Sequence, residues 1–262
     1  MTYQLLAMTT QQVSAITSAQ IGAFYTNQIA ALTTGQVSIL SSAQTSSFGT
    51  EQISALTTVD LMSLSTSAMS GLKTNQIQAL TTQQMVALTT AQLQNISTAN
   101  WASLTTNQIM AIETRDVTGY TTSSLLALDS IQIGVIDTAT IAAMTTQQIY
   151  ALSSDIAGLT TAQIIALTTD QVTNLTTGQF SALTTQQLVG FETRDVAVIS
   201  STNIGLLSSA SLAELYTSQI AALTTQQIVA LGSSLRGLTT ADVTGMSTAQ
   251  IAAFTTSAFA GL

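Results

Sequence analysis

The chain has 262 residues; 46% are hydrophobic types, 6% are charged, and 12 acids against 4 bases give a net charge of −8. It contains no His, Cys or Pro, which excludes the usual zinc, haem and iron–sulfur sites, disulfides and nucleophiles that rely on a histidine base. The four bases, Lys73, Arg115, Arg194 and Arg236, are scattered along the chain and form no sequence cluster of the kind that holds nucleic acid. The apolar content is too high for ordinary disorder. No apolar run approaches the ~20 residues needed to span a bilayer, and Met1–Met8 has neither the basic nor the apolar region of a secretory signal. The net negative charge disfavours nucleic acid and anionic lipid as partners.

From Met8 onward the chain is a tandem octapeptide with consensus Leu-Thr-Thr-x-Gln-Ile-x-Ala. Residues Leu80–Ala87 and Leu88–Asn95 are two consecutive copies. Position one is apolar throughout, and position six is apolar except at Thr45. Position three is always Ser or Thr. Position five is mostly Gln, with Asp60, Asp116, Asp155, Asp195 and Asp242 among the replacements, and position eight is usually small. Positions four and seven vary freely, as a solvated face does. No linker or composition shift interrupts the array, so residues 1–262 read as one solenoid domain.

Eight residues overshoot two helical turns by about 80° at 100° per residue. A single long helix would therefore spiral its apolar stripe around itself. A short helix in every octad fits better. With position two as N-cap, Gln at position five is N3 of a capping box, while Leu and Ile at positions one and six form a hydrophobic staple. Tyr25, Lys73 and Tyr216 are poor caps at position two, so position three is the alternative cap. Helices this short need neighbours to persist, which predicts an all-α solenoid of one- to two-turn helices. The alternative is a β-solenoid, because an even period keeps each position on one strand face.

Further along, Glu113-Thr114-Arg115-Asp116-Val117 recurs as Glu192-Thr193-Arg194-Asp195-Val196. Between them, Asp129 and Asp137 at position two read as N-caps. Two units have only seven residues, Leu152–Gly158 and Leu231–Gly237, at the same spacing as the charged motif. Higher-order modules at about 32–111, 112–190 and 191–262 follow. They mark either a superhelical period, corrected by the deletion, or gene duplication alone. Glu113, Arg115, Asp116, Glu192, Arg194 and Asp195 are candidate contacts between copies; the plain alternative is a solvated charge group inherited by duplication. Trp101, Phe180 and Phe259 occupy core position six.

Runs such as Leu159–Val172 resemble the Leu-Thr-Thr-x-Gln-[Ile/Val]-x-Ala arrays of large proteobacterial secreted surface proteins, the haemagglutinin-like or haem-utilisation/adhesion type. The resemblance implies a stalk-like or fibrous role outside the cell or at its surface, with export that uses no recognisable N-terminal signal. No cofactor or metal is expected, and with no base or ligand set the chain reads as non-enzymatic. The octad is in phase by Leu5 and runs to Leu262, so these residues are the remaining candidates for self-association. The expected partner is a second copy, head to tail in a filament; the alternative is an adhesin-type module that displays positions four and seven.

Overall fold

A computed structural model of the chain describes residues 7–254. Thirty-one helical segments lie between Met8 and Ala253, one for each of the thirty-one octads there, and no strand occurs among the described residues. The fold is thus an all-α solenoid of very short helices. The β-solenoid alternative fails because most octads begin with a helix start signal that works locally.

That signal sits at position two. Thr81 has extended backbone (φ −71°, ψ 160°), its hydroxyl accepts the Gln84 N–H, and the Gln84 side chain accepts the Thr81 N–H at 2.9 Å. Position three is therefore the first helical residue and not the cap. Tyr25, Lys73 and Tyr216 still stand at the N-cap. There only the glutamine half of the box operates, with Tyr25 N–H donating to Gln28 Oε1 at 2.8 Å and Lys73 N–H to Gln76 Oε1 at 2.7 Å. The reciprocal bond explains why poor caps are tolerated. Asp129 and Asp137 cap their helices by accepting the N–H groups of Gln132 and Thr140.

The chain divides into two compact units, residues 1–140 and 141–262. Within the first, each octad packs on the octad three places along, as helix Ser18–Gly22 does on Ser42–Thr45 and Thr34–Val37 on Thr58–Ser63. Glutamines reach the junction of the third and fourth octads back: Gln84 Nε2 donates to the Leu56 carbonyl, 28 residues earlier, and to the Ile53 carbonyl, 31 residues earlier, both at 2.9 Å. One coil therefore holds between three and four octads, and each helix lies against the junction of two helices in the previous coil. The second unit repeats the scheme, with Gln227 bound to Val196 and Ile199 at the same offsets.

Positions one and six fill the interior. Leu80, Leu88, Ile77 and Met85 are all at most 3% exposed. Trp101 and Phe180 are buried as core fillers, with Trp101 tilted against Tyr120 (ring centroids 5.2 Å apart) and Phe180 stacked on Phe191. Phe259 lies outside the described residues. The small residue at position eight serves contact between coils. A Cβ on Gly71 would come within 2.8 Å of Ser42 backbone atoms, and one on Gly237 within 2.0 Å of the Ser209 carbonyl oxygen.

The two seven-residue units are absorbed by the backbone at one residue each. Ser153 (φ 49°) and Gly232 (φ 51°) both hold the second place of their unit and are the only left-handed residues described. The residue before each, Leu152 or Leu231, is helical where position one is otherwise extended. Across Leu152–Gly158, Gln171 still meets position six of one octad and position one of the next, Ile141 and Met144, at offsets of 30 and 27. Across Leu231–Gly237, Gln250 does the same with Ile220 and Leu223. The deletion shortens the numbering by one and leaves the octad register unchanged.

Candidate functional site

The chemistry of this chain is concentrated at position five, which the octad places on the side of each helix that meets the preceding coil. Gln76, Gln84, Gln92, Gln108, Gln179 and Gln227 are at most 3% exposed. Each primary amide is satisfied twice over. The oxygen accepts the N-cap N–H of its own helix, and the nitrogen donates to carbonyls that the preceding coil leaves with a free lone pair at the junction between helices.

Shorter replacements at position five use a different partner. Asp60, Asn100, Asp116 and Asp195 accept a hydroxyl hydrogen bond from the position-three threonine 26 residues earlier: Thr34, Thr74, Thr90 and Thr169, at 3.1, 3.0, 2.6 and 2.8 Å. Asp242 takes Thr217 at 2.8 Å, 25 residues earlier because a short unit intervenes. Burial pushes the Asp242 carboxyl up. Hydrogen bonds from the Thr239 hydroxyl and N–H and from the Thr217 hydroxyl outweigh it, and hold the group below the ordinary carboxylate range. Buried acids at these positions are therefore links between coils, and position three owes part of its restriction to Ser/Thr to this reach.

The two charged motifs pair the same residues, on a 3-10 helix at Thr114–Gly119 and an α-helix at Thr193–Val196. In the first unit, Arg115 Nε lies 3.1 Å from Glu113 and 3.3 Å from Asp116, and its Nη2 donates to the Val86 carbonyl at 2.9 Å. In the second, Arg194 lies 2.7 Å from Glu192 and 3.7 Å from Asp195. The structure thus brings Glu113, Arg115 and Asp116 together, and likewise Glu192, Arg194 and Asp195. Asp116 and Asp195 point inward to Thr90 and Thr169, while the arginine side chains are about two-thirds exposed, at 64% and 65%. Sequence reasoning placed all six residues on one footing; burial of the aspartates separates them. Leu5 and Leu262 lie outside the described residues.

A shallow groove of about 470 Å³ beside Arg194 is lined by Ile165, Val189, Phe191, Glu192 and Tyr216. Apolar side chains at positions four and seven, including Ile131, Leu126 and Met110, are exposed. Tyr120 is buried at position one, and burial together with the nearby Asp137 charge raises its hydroxyl above the ordinary tyrosine range. Among the described residues no group of three or more His, Cys, Asp or Glu could hold a metal, and no helix is long and apolar enough to cross a membrane.

A family model described as the ALTTAQ repeat matches residues 2–34, 55–90 and 196–233. That hexapeptide stands letter for letter at Ala87–Gln92. No curated protein matches the chain. The molecule is an octapeptide-repeat protein, and over those three segments its units are similar to ALTTAQ repeats.

Proposed function

We propose that the protein is a structural element that self-associates by stacking coils of separate copies into filaments. The observation that carries this reading is the state of the outer coils. Position-one residues are buried from Leu32 to Leu231, whereas Met8, Ile16 and Phe24 before them are only half-buried; after Leu231, Leu238 is half-buried and Met246 and Phe254 are buried. A coil is recognised by its neighbour through groups that almost every octad carries, so a coil of a second copy supplies the same apolar surface. The two faces differ, and a head-to-tail contact between unlike faces propagates without closing. The resemblance of the octads to secreted surface arrays supports an extracellular setting.

Sedimentation velocity and negative-stain microscopy over a rising concentration series test this reading. Particles of uniform width that lengthen with concentration are expected; a monodisperse monomer throughout overturns it. A second reading, a module that binds a partner along its side, draws on the groove beside Arg194 and Tyr216. It expects a monomer that captures a partner and loses it on Tyr216→Ala.

A further inference from the structure

Two shallow grooves lie side by side on the second unit, and Val189 borders both. One, of about 470 Å³, is lined by Ile165, Arg194 and Tyr216; the other, of about 360 Å³, by Thr185, Ala210 and Glu214. Tyr216 holds its N-cap place through its backbone N–H, which donates to Gln219 Oε1 at 2.9 Å, so the ring takes no part in the cap. The ring is 63% exposed and stands out of the first groove, while the second has the small Ala210 in its lining. Charge divides in the same way. Arg194 stands about two-thirds exposed on the first side. Glu214, on the second, is exposed and belongs to none of the ion pairs among the described residues. Arg236 sits on the 3-10 segment Gly232–Gly237, which packs against the helix Ser209–Ala213 that bears Ala210. Two of the chain's four bases therefore gather at this face of a molecule of net charge −8, which lowers the repulsion that a second copy meets there.

We infer that the second unit pairs side to side with a second copy of the chain across a two-fold axis through Val189. That rotation exchanges the two grooves, so Tyr216 of each copy enters the partner's Ala210 groove and Arg194 of each meets the partner's Glu214. A patch with a knob and a hollow, and with both signs of charge, on opposite sides of one residue is complementary to itself, which is the condition for a contact that closes as a pair. An aromatic ring entering a hollow is the kind of anchor that carries most of an interface's energy, and charge pairs at the rim fix its orientation. At the same spacing as the charged motif, the first unit has Val135 in place of Glu214 and Asp137 in place of Tyr216. It keeps the Glu113–Arg115–Asp116 ion pairs but has neither the knob nor the acid, so the pairing face belongs to the second unit. Being lateral, this contact is separate from the end-to-end stacking proposed above and stands or falls without it.

Sedimentation velocity of the full chain at a fixed, dilute concentration tests the pairing; filaments are told apart by mass, since the lateral contact closes at two copies. In a symmetric interface each substitution counts twice. Arg194→Glu and Glu214→Arg each set like charges opposite one another, and Tyr216→Ala empties both hollows. Each is expected to raise the dimer dissociation constant by about tenfold or more, with circular dichroism unchanged. Mixing Arg194→Glu with Glu214→Arg restores opposite charges at both contacts, and the mixture should dimerise like the parent, which also shows that both variants are folded. Lys73→Glu, the same change of charge at an exposed base of the first unit, should pair like the parent as well. A dimer that survives the three substitutions, a mixture that stays monomeric, or an equal loss in Lys73→Glu overturns the pairing. So does a parent that stays monomeric, which leaves the groove to the side-binding reading.

Discussion

Replacing Gln84 by glutamate isolates the coil-to-coil half of its hydrogen bonding, because the change swaps one NH2 for one oxygen and leaves shape and cap intact. Gln84 is 2% exposed; its oxygen accepts the Thr81 N–H, and its nitrogen donates to Ile53 and Leu56 at 2.9 Å each. An ionised carboxylate in its place would point a buried negative oxygen at two carbonyl oxygens and leave both without that donor. The cheaper state is the protonated acid, which donates to one of them. Holding a carboxyl of ordinary pKa near 4.3 protonated at pH 7 costs about 3.7 kcal/mol, at 1.36 kcal/mol per unit. The second carbonyl adds about 1 kcal/mol for a lost hydrogen bond. The expected destabilisation is thus ~5 kcal/mol at pH 7. The folded-state pKa is raised, so the folded form binds more protons than the unfolded form above pH ~4.3, and the variant regains stability as pH falls toward that value. Near pH 4 only ~1–2 kcal/mol of deficit should remain. Urea unfolding of Gln84→Glu against parent and Gln83→Glu, from pH 4 to 7, measures the difference. Amide exchange at Ile53–Leu56 localises it, which is useful because repeat arrays lose global cooperativity. A pH-independent deficit no larger than that of Gln83→Glu would refute the argument.

Four further outcomes follow from the same geometry. Gly71→Ala should destabilise by ~1–3 kcal/mol as Ser42 is pushed away, while Gly35→Ala, whose added Cβ meets nothing within 4 Å, should stabilise helix Thr34–Val37 by ~0.5–1 kcal/mol; equal melting shifts of the same sign would contradict the coil contact. Ser153→Gly should raise stability by ~0.5–1 kcal/mol by relieving a left-handed serine. Gly232→Ala should lower it by ~1–3 kcal/mol through backbone conformation alone, as its Cβ meets no atom within 4 Å; neutral thermal melts would show that the short units are absorbed elsewhere. Asp242 is held below its ordinary range by Thr239 and Thr217. Its stabilising contribution is therefore present above the unfolded value near pH ~3.9 and fades as pH falls through the folded one; the advantage of the parent over Asp242→Asn should shrink in acid, and a constant difference would exclude it. Trp101→Ala should cost ~3–5 kcal/mol, read by urea unfolding, with a loss under about 1 kcal/mol ruling out its burial against Tyr120.

The local rules were legible because they act over three or four residues. The capping box, the staple and the apolar pair at positions one and six all fall within one octad, so a helix in each octad followed from the period. The charged motifs were legible as repeats. Their division of labour was not, because Asp116 and Thr90 are 26 residues apart and nothing in the octad marks that distance. The strict Ser/Thr at position three was visible as a pattern and misleading as a cap; its partners lie in the next coil.

The sequence by itself favoured the helical class over a β-solenoid, placed a helix start at position two or three of each octad and identified the core positions, since these depend on side chains within hydrogen-bonding or packing reach along the chain. Only the tertiary structure decided that a coil holds between three and four octads, that a glutamine amide such as that of Gln84 spans from its own cap to carbonyls 28 and 31 residues back, and that a deleted residue is taken up by one left-handed position. The physical reason is that coil closure is set by how helices of neighbouring turns nest, a property of surfaces brought together by folding and not of any eight consecutive residues.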